Sequence, residues 1–353
     1  MFGPTSVELV DRARNDLRIG LPICLSHDNQ NWLIFSIETI TKERLSLLND
    51  KAEFSITAQR AKALNITAYD DDIGRFKLNK TSDWRWVKAL ADPADDLKYP
   101  MKGPFEAIRG GTAEIHKMGI QLCKQARLLP AILAENIQTK IKYITTITTD
   151  DILAAHQDEH ITNIVSASLP IKASKSSRLH IFQHKNGVEE NYAIEIGKPD
   201  RLLPVLCRIH SACFTGDILG SLKCDCGAQL NSALERMGKE KSGILLYLNQ
   251  EGRGIGLTNK MRAYSLQNQG FDTVEANHRL GFEDEERDFK IASDILKDMG
   301  FSSVRLITNN PKKIKMMNEN GIKVTERIAI NVGQTPENKD YLATKIKKSG
   351  HLL

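Results

Sequence analysis

The sequence predicts an α/β (α+β) protein of two domains, the second built on a mixed sheet flanked by helices. Three observations predict it. The second half alternates apolar runs of strand length with amphipathic stretches that end at glycine, a βαβ rhythm. The first half opens on an amphipathic stretch and then mixes β-like and helical segments. Between them, SASLPIKASKSS at 166–177 breaks the periodicity with small, polar and proline residues, which draws the domains at 1–165 and 166–353. At 353 residues the chain can bury two cores.

In the first domain, SVELVDRARNDLRIG reads as a helix with Leu9, Val10, Ala13 and Leu17 on one face. Ser6 is placed to cap its start and Gly20 its end. LPICLS and WLIFSIE read as strands, and a second helix opens at Thr41. EIHKMGIQLCKQARLL reads as a further helix, entered from the pair Gly110-Gly111. In the second domain GILLYL is a buried strand, followed by the loop NQEGRGIG and the helix NKMRAYSLQNQ ending at Gly270. EERDFKIASDILKDM is helical to Gly300, and VRLIT is a strand. NNPKK starts a helix that ends at Gly321, and IKVTERIAI is a strand again.

Composition is globular, with 41% hydrophobic and 26% charged residues. Charges at Glu8, Asp11, Arg12, Arg14, Asp16 and Arg18 leave no signal-peptide core at the start, and LLPAILA is too short to span a bilayer. The expected location is cytoplasmic, with no membrane partner. A net charge of +5 suits an anionic small substrate and lacks the dense basic stripe of a nucleic-acid binder. Of six cysteines, Cys24, Cys123 and Cys207 stand alone in apolar surroundings and read as inert core.

The other three, Cys213, Cys224 and Cys226, form a C-x10-C-x-C cluster in RIHSACFTGDILGSLKCDCG. A C-x-C pair with a third thiolate one short hairpin away can converge tetrahedrally on zinc. His210 is close enough in sequence to close a structural Cys3His site. With water in the fourth position the site is catalytic, and spacing alone leaves these two readings level. Three thiolates on Zn2+ acidify bound water less than three neutral histidines do, so catalysis needs a base from elsewhere in the chain.

Two loops look suited to phosphate. QEGRGIGL follows an apolar strand, lets backbone approach a ligand at Gly252, and offers Arg253 as a bidentate partner. TNNPKK opens a helix at Pro311 with free N–H groups and two lysines. A tight turn and an ordinary capped helix start would look the same. Their company with a metal cluster favours a phosphorylated substrate.

From about Ser166 to the C-terminal GHLL, the motifs RIHSACFTGD, SLKCDCG, ILLYLNQEGRGIGL, KMRAYSLQNQGFDTVEANHRLGF, ERDF and RLITNNPKK resemble, in order, GTP cyclohydrolase II of riboflavin synthesis. The resemblance implies Cys213, Cys224 and Cys226 as zinc ligands, with water in the open position attacking C8 of guanine. It implies GTP contacts at Arg208, Ile209, His210, Ser211, Gln229, Glu251, Gly252, Arg253, Thr273, Thr308 and Lys313. Arg287 matches the family's proposed nucleophile toward the α-phosphate, although an arginine is a poor nucleophile and an electrostatic role stands beside that one. Tyr264 matches a tyrosine near the reacting base, or a core residue of its helix. Mg2+ on the triphosphate and a homodimer are implied as well. The products that the resemblance implies are formate, pyrophosphate and a diaminopyrimidine ribosyl phosphate.

Two positions depart from the family pattern. Glu285 stands where an aspartate proton acceptor is expected, one methylene longer, and Ala212 stands where a glutamate is usual. A nucleotide-binding homologue with reduced or lost turnover is therefore the alternative reading. A structural zinc module for nucleic acid ranks third, since interleaved aromatics are missing.

The first domain resembles a degenerate 3,4-dihydroxy-2-butanone-4-phosphate synthase, through LPICLSHDNQNWLIFSIETIT and RGGTAEIHKMGIQLCKQARLLPAILAEN. The loop expected to hold Mg2+ is HDNQNW, with Asp28 its only carboxylate, and Gly111 replaces a histidine of the family motif. Hard Mg2+ needs convergent oxygens. No synthase activity is expected, and the domain reads as scaffold, dimerisation or regulatory.

Overall fold

The computed structural model describes residues 3–79, 83–96, 99–157, 161–184, 189–339, 341–343, 347, 350 and 352. His351 and Leu353 of the terminal GHLL lie outside them. The chain divides into two compact units, Met1–Asp158 with Thr258–Glu286, and Glu159–Leu257 with Arg287–Leu353.

The first unit begins with α1 (Ser6–Arg18), β1 (Ile23–His27), β2 (Gln30–Ser36), α2 (Lys42–Leu45), β3 (Glu53–Thr57), α3 (Ala58–Ala63) and β4 (Ile73–Lys77). It continues through α4 (Trp84–Ala91), α5 (Glu114–Gln125), β5 (Ala131–Ile137), β6 (Thr146–Thr148) and α6 (Thr149–Gln157). Six strands make one sheet in the order β4-β3-β5-β2-β1-β6, antiparallel but for β1 with β6. Apolar faces of α1 and α5 close over it: Val10, Ala13, Leu17, Ile115 and Leu122 share a core with Ile23, Leu25, Ile34 and Ile132. The expected helical face of α1 is there, but its cap is Thr5, in a reciprocal capping box with Glu8. Ser6 instead donates its hydroxyl to Asp151 Oδ1 at 2.7 Å. Ser is the better cap on its own, and what selects Thr5 is the Glu three residues after it, which completes the reciprocal box.

Lys88 on α4 gives this unit a pH signature. Its Nζ donates to the Glu38 carbonyl at 2.6 Å, and burial pushes the ammonium down to about 8, against a smaller upward pull from the Glu38 carboxylate. Between about 8 and the ordinary lysine value of 10.5 the unfolded chain holds more protons than the folded one. Stability therefore rises with pH across that window. Denaturant midpoints measured from pH 7.5 to 10 should climb more steeply in the native protein than in Lys88→Met; parallel curves would refute the assignment.

The second unit runs through β7 (Ile161–Ser168), β8 (Ser177–His184), β9 (Glu190–Gly197), β10 (Val205–Ser211), α7 (Cys226–Glu240) and β11 (Ser242–Leu248). After β11 come α8 (Gly256–Gln267) and α9 (Thr273–Arg279), which pass largely into the first unit. The chain then resumes with α10 (Lys290–Asp298), β12 (Ser303–Ile307), α11 (Pro311–Glu319) and β13 (Lys323–Ile328). Seven strands form a sheet ordered β13-β12-β10-β11-β9-β8-β7, parallel from β13 to β11 and antiparallel beyond. Helices α10 and α11 cover one face through Ala292, Ile295, Leu296 and Met317, and α7 covers the other through Ala233 and Met237. This is the expected mixed sheet flanked by helices.

Of the stretch at 166–177, residues 166–168 end β7, 177 opens β8 and 169–176 connect them, closed by Leu169 N–H donating to Ser177 O at 2.9 Å. Small polar residues suit a hairpin turn as well as a linker. The helix expected from Glu285 begins only at Lys290, so Glu285 and Arg287 sit in irregular chain ahead of it. No helix among the described residues is long and apolar enough to cross a membrane.

In the first unit, α9 packs on α3. Its start is capped by Asp272 and Glu275 in a reciprocal box. Beneath it lies Arg60, 1% exposed, with Nε on Leu90 O at 2.8 Å, Nη1 on Arg279 O at 3.3 Å, and a two-pronged pair with Asp96 at 2.7 and 2.8 Å. Burial would raise the Asp96 carboxyl, but Arg60 and Lys102 outweigh it and hold it below the usual aspartate range.

Candidate active site and metal centre

Side chains alternate across a strand, so Cys207 and Ile209 of β10 join the core under α10 and α11, leaving Arg208 and His210 for the α7 face. Loops leave the carboxyl ends of adjacent parallel strands toward opposite faces, from β10 to α7 and from β12 to α11. A crevice at such a switch point is where open α/β sheets bind ligands. Arg208 Nη1 donates to Ile307 O at 3.0 Å and Lys313 Nζ to Ile209 O at 2.9 Å, joining the two strand ends.

The loop after β10 carries Cys213, and Cys224 and Cys226 precede and open α7. Their sulfurs all lie within 4.8 Å of one another, the one cluster of potential metal ligands found among the described residues. Cys213 and Cys224 sulfurs are 3.7 Å apart, too far for a disulfide. Two thiolates at 2.3 Å from one tetrahedral zinc would stand about 3.8 Å apart. Neighbouring thiols and burial raise the Cys226 thiol well above its ordinary value, and Cys213 is the first cause of the rise at Cys224. A divalent cation would lift that mutual suppression by ligation. The donor set fits zinc.

Backbone closes over the sulfurs at Gly216. A Cβ there would meet Cys224 Sγ at 2.7 Å and Cys213 Sγ at 3.1 Å. His210 does not complete a Cys3His set: its Nε2 lies 3.0 Å from both Asp217 oxygens. Burial comes first among the causes that lower the His210 pKa, with the Asp217 hydrogen bond opposing. Asp217 also accepts from Cys213 N–H at 3.0 Å and from the Tyr247 hydroxyl at 2.9 Å. Sequence reading missed Asp217 and Tyr247. An acidic residue in a loop carries no spacing signal, and only the folded loop shows it gripping a cysteine amide.

Gln229, one turn into α7, accepts from Arg208 Nη2 at 2.5 Å and donates to Asp225 at 2.6 Å. Burial lowers the Arg208 pKa, and its Nε has no partner. After β11, Gly252 and Arg253 both take left-handed backbone, φ 64° and 61°, uncommon for an arginine. Glu251 anchors that turn by accepting from Phe214 N–H at 2.6 Å. Ala212 donates its N–H to Leu248 O at 2.7 Å. Thr308 is buried and its hydroxyl accepts from Asn310 N–H, whose side chain caps α11 behind Pro311. Arg287 donates to Ser211 Oγ at 3.3 Å, with its guanidinium 4.7 Å from the Phe289 ring that Lys313 also faces.

The second unit thus gathers the cysteines, 208–211, Gln229, 251–253, Arg287, Thr308 and Lys313. Tyr264, Thr273 and Glu285 belong to the first unit. Tyr264 lies on α8 with Lys260 Nζ 5.7 Å from its ring, and the Thr273 hydroxyl accepts from Gln267 at 3.2 Å. Cys207 and Cys123 are inert core thiols, each pushed by burial to about 12.

A sheet parallel at one edge, with three clustered cysteines at its strand ends that could hold a metal ion, fits an α/β metalloenzyme. The GTP cyclohydrolase II family profile matches residues 162–329. GTP cyclohydrolase-2 of Azospirillum brasilense is 34% identical over 99% of this chain and 94% of its own length. The Enterobacter sp. (strain 638) enzyme of the same name is 53% identical over 47% of this chain and 84% of its own. A two-domain 3,4-dihydroxy-2-butanone 4-phosphate synthase from A. baumannii overlaps 91% of this chain at 13% identity, with a TM-score of 0.33, below that of a shared fold. The chain belongs to the GTP cyclohydrolase II family.

Proposed function

We propose that the protein hydrolyses GTP at C8 of guanine, releasing formate and pyrophosphate to give 2,5-diamino-6-ribosylamino-pyrimidinone 5'-phosphate, the first step of riboflavin synthesis. The observation that carries the reading is the Cys213–Cys224–Cys226 cluster at the strand ends, two of its cysteines buried and the third half-buried, in a chain of this family. Those cysteines would hold one zinc, which supplies a Lewis acid that lowers the pKa of water. Arg208 and Gln229 bind and orient the nucleotide from the α7 face. Arg253, Thr308, Lys313 and the turn at 251–252 receive the phosphates, with Mg2+ neutralising part of their charge. Glu285 accepts a proton during ring opening, and Tyr264 and Thr273 contact the nucleotide. Arg287 acts on the α-phosphate as a fixed cation, because a guanidinium stays protonated and its planar fork matches phosphate oxygens. A cytoplasmic homodimer without synthase activity in residues 1–165 completes the reading.

Ala212 favours one second reading, a nucleotide-binding homologue with lowered turnover, since a methyl group replaces a carboxylate beside Cys213. One experiment separates them. Purified protein supplied with GTP, Zn2+ and Mg2+ under reducing conditions should release one formate and one pyrophosphate per GTP. GTP binding without formate would sink the first reading and leave the second.

A further inference from the structure

Residues 258–286 carry Tyr264, Thr273 and Glu285, yet they pack with the N-terminal region. Ties hold the segment along its length. Near its start, Arg262 pairs with Glu38 at 3.0 Å. Toward its end, the Thr57 hydroxyl donates to Gly281 O at 2.8 Å. Gly281 has φ +88°, and a Cβ there would lie 2.9 Å from both Pro130 and Thr57. At its end, Lys124 Nζ from the last turn of α5 meets Glu286 Oε1 at 2.7 Å, and that oxygen also accepts from Glu283 N–H at 2.9 Å. Glu286 stands between Glu285 and Arg287 in the chain.

We infer that the N-terminal region is a positioning scaffold for cyclohydrolysis, and that Lys124 is a positioning residue, fixing through Glu286 the backbone that bears Glu285 and Arg287. The inference rests on the roles proposed for those two residues. Magnitudes make the claim sharp. A partly exposed ion pair adds little to stability, whereas a displacement of about 1 Å at a reacting group costs up to about a hundredfold in rate. Removing Lys124 should therefore show in turnover before it shows in folding.

The test uses the full-length protein. Lys124→Met should lower kcat for formate release by about tenfold, with the KM for GTP within about twofold of native and zinc content unchanged. Lys124→Arg should restore most of the rate. Glu286→Gln should match Lys124→Met, and the double variant should be no slower than either single one. Native kcat in Lys124→Met, with Glu285→Gln impaired, overturns the inference and leaves the site reading standing. If Glu285→Gln is also unimpaired, the site reading falls and takes the inference with it. A slowed Lys124→Met that also melts several degrees lower and is not rescued by arginine overturns the positioning role in favour of a structural one.

Discussion

Cys224→Ser should lose its zinc and more than about a hundredfold of its formate release, since even partners outside the ligand shell act on a scale of 10–100-fold. Serine cannot supply a thiolate, and the remaining pair, Cys213 and Cys226, leaves a divalent cation two protein ligands short of a closed site. Metal analysis after gel filtration checks the first half of the expectation and a formate assay the second. A stronger test of the geometry is Gly216→Ala, which alters no donor atom. Its Cβ would sit 2.7 Å from Cys224 Sγ and 3.0 Å from Cys226 Cβ, so the cluster must spread or the loop must lift. Zinc affinity should fall by about 10–100-fold, the scale on which misoriented ligands act. Cys207→Ala, on the opposite face of β10, should keep its zinc. Unchanged metal content in Cys224→Ser would remove the cluster from the mechanism.

Glu285→Gln should lower kcat by about 10²–10⁴-fold, the usual worth of a positioned proton acceptor. Glutamine keeps the length of the side chain and its hydrogen-bonding edge, so binding of GTP should persist and the loss should fall on kcat. Glu285→Asp tests the extra methylene. In an active enzyme it should lower the rate by up to about a hundredfold, the scale of a misplacement of about 1 Å, because the Lys124–Glu286 pair holds the backbone there. A large gain from a native rate near zero would instead identify a chain that kept its nucleotide site and lost its turnover. Zinc content should be equal across the series. Single-turnover measurements would separate the chemical step from product release.

The site was legible where chemistry demands a fixed local spacing. Cys213, Cys224 and Cys226 are such a case, because two ligands one residue apart and a third beyond a short loop can converge whatever the rest of the fold does. The start of α11 was legible for the same local reason, with Asn310 capping and Pro311 in the first turn. The parallel strands β11 and β12 were visible in GILLYL and VRLIT, short apolar-rich runs of the kind that sheets covered on both faces require. What escaped was non-local. Nothing in the sequence marks Asp217 as the acceptor for a cysteine amide, a histidine and a tyrosine. The antiparallel strands β7 to β9 were hidden because Asn163, Ser166 and Ser168 give the edge strand a loop-like composition. The helical pattern of KMRAYSLQNQ says that a face is buried, but not which core buries it; the structure packs it with the N-terminal region. The onset of α10 was misjudged because acidic residues such as Glu285 and Glu286 suit a first helical turn, and here Glu286 is spent on Lys124 and the Glu283 amide.

The excursion of residues 258–286 also bears on how the molecule is made. A ribosome delivers residues 1–158 first, and the next 99 residues, from 159 to 257, belong to the other unit. At about 5–20 residues per second, some 5–20 s separate the two parts of the first unit during synthesis. Throughout that interval Thr57, Arg60 and Pro130 wait for Arg279 and Gly281, so the N-terminal unit is born with one side unfilled. Neither unit is a contiguous stretch of message. A single genetic cut anywhere between residues 159 and 257 would therefore strand part of one unit with the other, and the two halves are bound into one heritable unit by the path of the chain itself.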